Sequence, residues 1–271
     1  MRIGNTMRPV IKWSGSKRTQ AQTIIEYFPS FEVYYEPFLG GGSILGAIRP
    51  QKAVCGDICK PLIDLWKEIK KKPEKLSNEY KKRWGRMDSE GYQVYYEVRN
   101  SFNKKQSPVD LLFLTRTCVN GLIRFNQNGH FNNSLHHTRK GIHPESLKEI
   151  LNEWNDIVQS VSFFCGNYSE IIQDLTKNDF VYLDPPYFNT KGRYYGTINY
   201  EDFLRFLELL NRKSIKFALS FDGKTSEKDY IVQIPKELYK RHYLIKSGHS
   251  SFRKVMDKKN SIVQESLYLN Y

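Results

Sequence analysis

The chain has 271 residues, 39% of them hydrophobic, and carries 42 Lys and Arg against 29 Asp and Glu, a formal net charge of +13. That apolar content excludes wholesale disorder and suits one large α/β domain, or one domain with a smaller insert. No apolar run reaches membrane-spanning length and the first residues lack a signal stretch, so the expectation is a cytoplasmic chain without a membrane partner. The excess of cations favours a polyanion.

In chain order, residues 33–36 are β-like, 43–48 suit a short helix and 52–55 are β-like again, together a βαβ unit of a parallel sheet. Residues 61–154 are helical in pattern and rich in charge, and the lysines between Lys67 and Lys82 read as a solvated helix face. Residues 111–119 predict an apolar helix. Between Ile123 and Phe131, Asn128-Gly129 suits a hairpin turn. Residues 161–164, 180–183 and 216–220 predict buried strands, 203–210 a helix, and 239–245 and 262–269 closing strands. The middle of the chain is then a helical insert in a discontinuous α/β domain. Cys55, Cys59, Cys118 and Cys165 have neither paired spacing nor a histidine cluster, so all four are expected to be reduced core residues, with no metal.

Two elements carry chemistry. Glu36-Pro37-Phe38-Leu39-Gly40-Gly41-Gly42-Ser43 lies where a strand hands over to a helix, and glycines there let backbone approach a ligand closely. Asp57 ends the next strand, where an acid can accept from ribose hydroxyls. That pair points to a nucleoside-containing cofactor without separating a nicotinamide dinucleotide from S-adenosylmethionine. The sharper element is Asp184-Pro185-Pro186-Tyr187, at the carboxyl end of a buried strand. Two prolines donate no amide hydrogen, and Asp184 adds a carboxylate, so the set is rich in acceptors. It suits an amino group whose lone pair is delocalised into a ring. Holding both hydrogens favours a pyramidal nitrogen poised for in-line methyl transfer, and Tyr187 would stack on an extruded base. An Asp-capped proline turn is the plain structural alternative, and the glycine unit upstream weighs against it.

These residues resemble the Dam-like (D12 class) N6-adenine DNA methyltransferases. Lys12-Trp13-Ser14-Gly15-Ser16-Lys17, Glu36 to Ser43, Gly56-Asp57-Ile58, Arg116 to Leu122 with Arg124, Asn126, Gly129, Phe131 and Asn132, and Asp184 to Tyr187 are similar to family motifs and stand in the family's order. The resemblance implies a Rossmann-like, mostly parallel methyltransferase sheet with an inserted, mainly helical target-recognition domain. Catalytic residues would be 1–60 and 158–271, and recognition residues 61–157. It implies S-adenosylmethionine as cofactor, held by Trp13, Lys17, Phe38, Gly40, Asp57 and Asp184, with Asp184, Pro185 and Tyr187 catalytic. It implies double-stranded DNA as substrate, with Asn120, Arg124, Asn126 and Arg139 as contacts, since Arg pairs with guanine or phosphate and Asn with adenine. A surface Arg beside a turn is the plainer reading of Arg124. Pairing with a cognate restriction endonuclease is one role such an enzyme serves, and solitary action is another.

Four departures qualify the resemblance. Asn167 stands where the family has an acid, Ser16 replaces a Gly, Phe221 replaces an Asn, and Asn132-Asn133-Ser134-Leu135-His136-His137 replaces a Pro-Phe-Gly stretch. The last leaves the recognised sequence open. An RNA adenine or a cytosine amino group is the second enzyme reading, and a basic binding protein without catalysis the third.

Overall fold

The computed structural model describes residues 7–121, 123–126, 128–136, 140–186, 198–225, 234–249 and 262–271. Seven strands form one sheet in the order β3-β2-β1-β4-β5-β7-β6: β1 (Tyr34–Glu36), β2 (Ala53–Asp57), β3 (Val161–Cys165), β4 (Phe180–Leu183), β5 (Lys216–Thr225), β6 (Arg241–His249) and β7 (Ile262–Leu269). Only β7 runs against its neighbours. This is the expected α/β, mostly parallel sheet. β1 and β4, at its centre, are buried along their whole length, as a parallel sheet covered on both faces requires.

The chain leaves β1 towards β2 and β3 and returns to β4 on the other side of β1. That reversal opens a crevice at the carboxyl ends of β1 and β4, the usual place for a ligand in such a sheet.

Two apolar layers cover the sheet. One face, with Tyr34, Cys55, Tyr182, Ala218, Leu267 and Leu269, joins a core continuous with the N-terminal segment and the central helices. The other, with Tyr35, Val181, Leu183, Phe217 and Leu219, packs on α8 (Tyr200–Arg212). Successive side chains on each strand thus serve opposite layers.

The expected βαβ unit is present, with α2 at Ser43–Ile48. The short α1 (Ala21–Ile25) and a 3-10 turn at Tyr168–Gln173 were not expected. The charged middle forms α3 (Lys60–Lys71), α4 (Pro73–Ser89), α5 (Gln93–Lys105), α6 (Pro108–Thr117) and α7 (Pro144–Val158), and α3 also packs on β2 and β3. Each of α3, α4, α6 and α7 has a proline in its first turn, where the missing amide costs nothing. Most of the lysine run is exposed, and it spans the α3–α4 break.

The apolar helix expected to reach residue 119 stops at Thr117, because Cys118 turns extended and bridges Leu135. Three cysteines are buried as expected, but Cys165 is exposed. It ends β3, an edge strand, where that side of the pleat meets solvent.

Candidate active site

The glycine turn after β1 is built by close approach. Gly40 (φ +49°) and Gly42 (φ +69°) are left-handed, and a Cβ on Gly40 would stand 2.8 Å from Trp13 Cδ1. Only glycine lets the Trp13 ring lie on the turn. The Gly40 peptide is held at both ends: its amide donates to Asp57 Oδ2 (3.1 Å), and its carbonyl accepts from Trp66 Nε1 (3.1 Å). Asp57 Oδ1 accepts from the Cys59 amide (2.9 Å), so one carboxylate ties together the turns after β1 and β2. Desolvation raises the Asp57 pKa to about 6, and these amides act against the rise.

Asp184 follows β4 directly. Its Oδ1 accepts from Lys17 Nζ at 2.6 Å, and Lys17, only 3% exposed, also donates to the Gly15 carbonyl (3.3 Å). Burial raises Asp184 to about 6, the Lys17 ammonium pulls it down, and Glu265 pushes it up. Glu36, buried at the end of β1, accepts from Tyr34 Oη (3.0 Å), and desolvation holds its carboxyl well above the usual range.

Trp13, Lys17, Phe38, Gly40, Asp57, Asp184 and Pro185, expected from sequence to act together, line one cleft of about 1010 Å³ including its open mouth. Its wall includes Phe38, whose ring lies 5.2 Å from Tyr168, and Ile58, half exposed although apolar. Glu36, Ile58 and Tyr168 carried no expected role of their own. From sequence, an exposed isoleucine beside the glycine turn cannot be told from a buried one.

Asn167 lines the cleft, but its oxygen is engaged locally. Its Oδ1 caps the following turn at Ser169, and Glu170 caps it in return. Ser16 shares a hydrogen bond with Ser43 (Oγ···Oγ 2.8 Å), tying the N-terminal loop to α2. Phe221 is buried against Phe203.

Two of the residues expected to meet nucleic acid, Arg124 and Asn126, lie on a hairpin outside the cleft lining. Phe125 bridges Phe131, and Gly129 (φ +72°) makes the turn, as its sequence suggested. Arg124 is exposed beside it. Asn126 spends its Oδ1 on the turn, accepting from the amides of Asn128 (3.0 Å) and His130 (2.9 Å). Asn120 has its backbone in the 3-10 turn Val119–Gly121. Tyr187, Arg139, the Asn120 side chain and His137 lie outside the described residues.

The hairpin adjoins the cleft. Ser14 Oγ donates to the Ile123 carbonyl (3.5 Å), and the Lys12 side chain covers Gly121. Arg116, which opens the stretch leading into the hairpin, is buried, with its pKa lowered to about 10 by desolvation. It donates to the carbonyls of Pro9 and Val10. It thereby anchors the segment that carries Trp13 and Lys17.

Residues 13–248 match the sequence profile described as D12 class N6 adenine-specific DNA methyltransferase. The chain belongs to that class. The Type II methyltransferase M.MjaIII of Methanocaldococcus jannaschii is 28% identical over 305 aligned positions, covering 98% of this chain and 99% of that protein. The Type II methyltransferase M1.LlaDCHI of Lactococcus lactis subsp. cremoris is 31% identical, over 67% of this chain and 66% of the relative. The DNA adenine methylase of Escherichia coli K12 is 30% identical, over 66% and 65%. Among solved structures, the rRNA methyltransferase aviRa from Streptomyces viridochromogenes aligns with a TM-score of 0.38 at 13% identity over 99% of this chain and 87% of that one, a distant likeness. This D12-class methyltransferase acts on DNA. Among its described residues, no helix is long and apolar enough to cross a membrane, and no three His, Cys, Asp or Glu side chains are grouped to hold a metal ion.

Proposed function

We propose that the enzyme moves a methyl group from S-adenosylmethionine directly to the N6 amino nitrogen of an adenine turned out of duplex DNA. The observation that carries this reading is the Lys17–Asp184 pair in the wall of a glycine-rich cleft. The cleft fits the cofactor's chemistry. Phe38 and Ile58 offer apolar walls for a nucleoside, Asp57 offers a carboxylate near its ribose, and the Gly40 turn admits close contact. When bound, S-adenosylmethionine supplies an electrophilic methyl group on sulfonium.

The chain's own residues then do three things. Asp184, with Oδ1 held by Lys17, keeps Oδ2 to accept from the amino group. Pro185 and its neighbours keep backbone carbonyls free for the second hydrogen. Tyr187 stacks on the extruded base, whose extrusion costs on the order of a few kcal/mol. Because Asp184 titrates near 6, it is an acceptor at neutral pH and loses that capacity in acid.

We assign target recognition to residues 61–157, with Asn120, Arg124 and Arg139 as contacts to bases or phosphates, and the chemistry to residues 1–60 and 158–271. Asn126 retains only its amide nitrogen for DNA, because its oxygen holds the turn. The names of the type II relatives support a place in a restriction-modification system beside a cognate endonuclease, in the cytoplasm where its DNA lies.

The test is incubation with labelled S-adenosylmethionine and mixed-sequence duplex, followed by mass analysis of the bases and sequencing of modified sites. N6-methyladenine at one short site is expected. Label confined to cytosine or to RNA would overturn the reading.

A further inference from the structure

β7 carries an acid where its pattern calls for an apolar side chain. Leu267 and Leu269, both fully buried, face the layer that holds the N-terminal segment. Glu265 continues that alternation on the same face of the strand. Its Oε2 lies 3.4 Å from Lys17 Nζ, against the same ammonium that Asp184 holds. The β5–β7 ladder is irregular at this point: Phe221 pairs with Ser266 and Gly223 with Glu265, so Asp222 is skipped. A bulge opposite a single residue re-aims the strand locally, and bulges recur beside active sites.

A carboxylate here is costly to desolvate unless something uses it. Lys17 already has a carboxylate partner in Asp184 and a carbonyl in Gly15, so a second acid is not needed to neutralise it.

We infer that Glu265 is a positioning residue for methyl transfer: it shares the Lys17 ammonium with Asp184 and keeps that cation from closing over the acceptor Asp184 offers to the amino group. With Glu265 present, two carboxylates lie against one cation, Asp184 at 2.6 Å on the cleft side and Glu265 at 3.4 Å behind the cleft wall. Without it, Asp184 takes a larger share of the Lys17 charge and becomes a weaker hydrogen-bond acceptor and a stronger acid. The inference rests on the role proposed for Asp184.

The charged and titratable groups around Asp184 among the described residues are Lys17 from the N-terminal loop, Glu265 from β7, Glu36 from β1 and Tyr182 from β4. Glu265 raises the Asp184 pKa and Lys17 lowers it. Removing the Glu265 charge therefore shifts the acid limb of the kcat profile to lower pH.

Three variants of the full-length enzyme decide the matter: Glu265→Gln, Glu265→Asp and Asp184→Ala, assayed for kcat, for KM of duplex and S-adenosylmethionine, for the pH dependence of kcat, and for thermal melting. Glu265→Gln should lower kcat about tenfold, leave both KM values within about twofold, and move the acid limb down by about half a pH unit or more. Glu265→Asp keeps the charge on a shorter arm, so its acid limb should stay near that of the parent while kcat recovers in part. If Glu265→Gln keeps the parent kcat and acid limb, the inference is overturned. It is also overturned if both Glu265 variants lose kcat in step with melting temperature while the acid limb stays put, since that is structural support alone. If Glu265→Gln does not fold, the Glu265→Asp profile decides: a kcat equal to the parent's overturns the inference, and a reduced kcat with an intact melt supports it. Asp184→Ala separates the two readings. If it retains substantial turnover, the proposed role of Asp184 fails first; if it is inactive while Glu265→Gln is unchanged, only the role of Glu265 fails.

Discussion

The cleft and the hairpin both hold polar groups ready for a ligand, and they do so by opposite means. In the cleft the backbone is fixed by groups from elements far apart in sequence: Asp57 at the end of β2 and Trp66 of α3 grip the Gly40 peptide, and Lys17 of the N-terminal loop reaches Asp184 from 167 positions away. The hairpin is fixed mainly by one helix, with Ser14 of the N-terminal loop touching its start. Asn103 of α5 accepts from the Phe131 amide (2.8 Å) and donates to its carbonyl (3.1 Å), standing in for a neighbouring strand. Tyr95 and Arg99 both donate to the Asn133 carbonyl. The cleft is therefore as rigid as the sheet, whereas the hairpin is as rigid as its packing on α5. Changes in the first should alter rate and cofactor binding, and changes in the second should alter which DNA is chosen.

The largest expected effect tests the cleft. Asp184→Ala should lower single-turnover methyl transfer by about a thousandfold or more, roughly 4 kcal/mol, while gel-shift affinity for duplex stays within a few-fold. A parallel loss of DNA binding would erase the contrast between the regions. Gly40→Ala comes next. It places a Cβ against the Trp13 ring and strains a left-handed residue, so calorimetry should show S-adenosylmethionine binding weakened by about ten- to a hundredfold.

On the hairpin, Arg124→Ala should cost about 1–3 kcal/mol of discrimination between the preferred site and its single-base variants, read by sequencing methylated pools. Unchanged preference would remove Arg124 from the recognition set. Asn103→Ala touches no DNA in this scheme, yet it frees the hairpin. It should relax the same preference while lowering stability by about 1 kcal/mol and sparing cofactor affinity. If it weakens cofactor binding instead, the two regions are coupled and the comparison fails.

The smallest effect is a pH dependence. Asp57 has a folded-state pKa raised from its ordinary 3.8 to about 6. The folded protein binds that proton more tightly than the unfolded chain, so the associated stability is present below pH 3.8 and lost as pH rises through about 6. Between pH 5 and 7.5 the parent should therefore lose about 1 kcal/mol relative to Asp57→Asn, measured by urea unfolding without cofactor. A constant difference would show that solvent and the two backbone donors offset the effect of burial and hold Asp57 near its ordinary pKa.

Much of this was legible in the sequence because its signals are local. The run Phe180 to Leu183 is short and largely apolar and reads as a buried strand, which it is. The three glycines after Glu36 announce a turn that backbone or ligand must approach, and Asn128-Gly129 announces a hairpin. Other features had no local signal. Cys165 sits in a strand as apolar as its neighbours, and its exposure follows only from β3 being an edge. Asn126 resembles a base-reading amide until its oxygen is seen turned back on its own loop. Arg116 opens a family-like motif, but nothing in the sequence says that its guanidinium is spent on the carbonyls of Pro9 and Val10.

By itself, then, the sequence determined the chemical class of the site, because Asp184-Pro185-Pro186 and the glycine turn carry their acceptors and backbone freedom within a few bonds. Tertiary structure alone decided how those acceptors are charged. Lys17, Asp184 and Glu265 come from the N-terminal loop, the end of β4 and the middle of β7, and share one ammonium only because the sheet order puts β4, β5 and β7 side by side beneath that loop. Electrostatic energy depends on distance in space and on desolvation, and neither quantity is written in the spacing of residues along a chain.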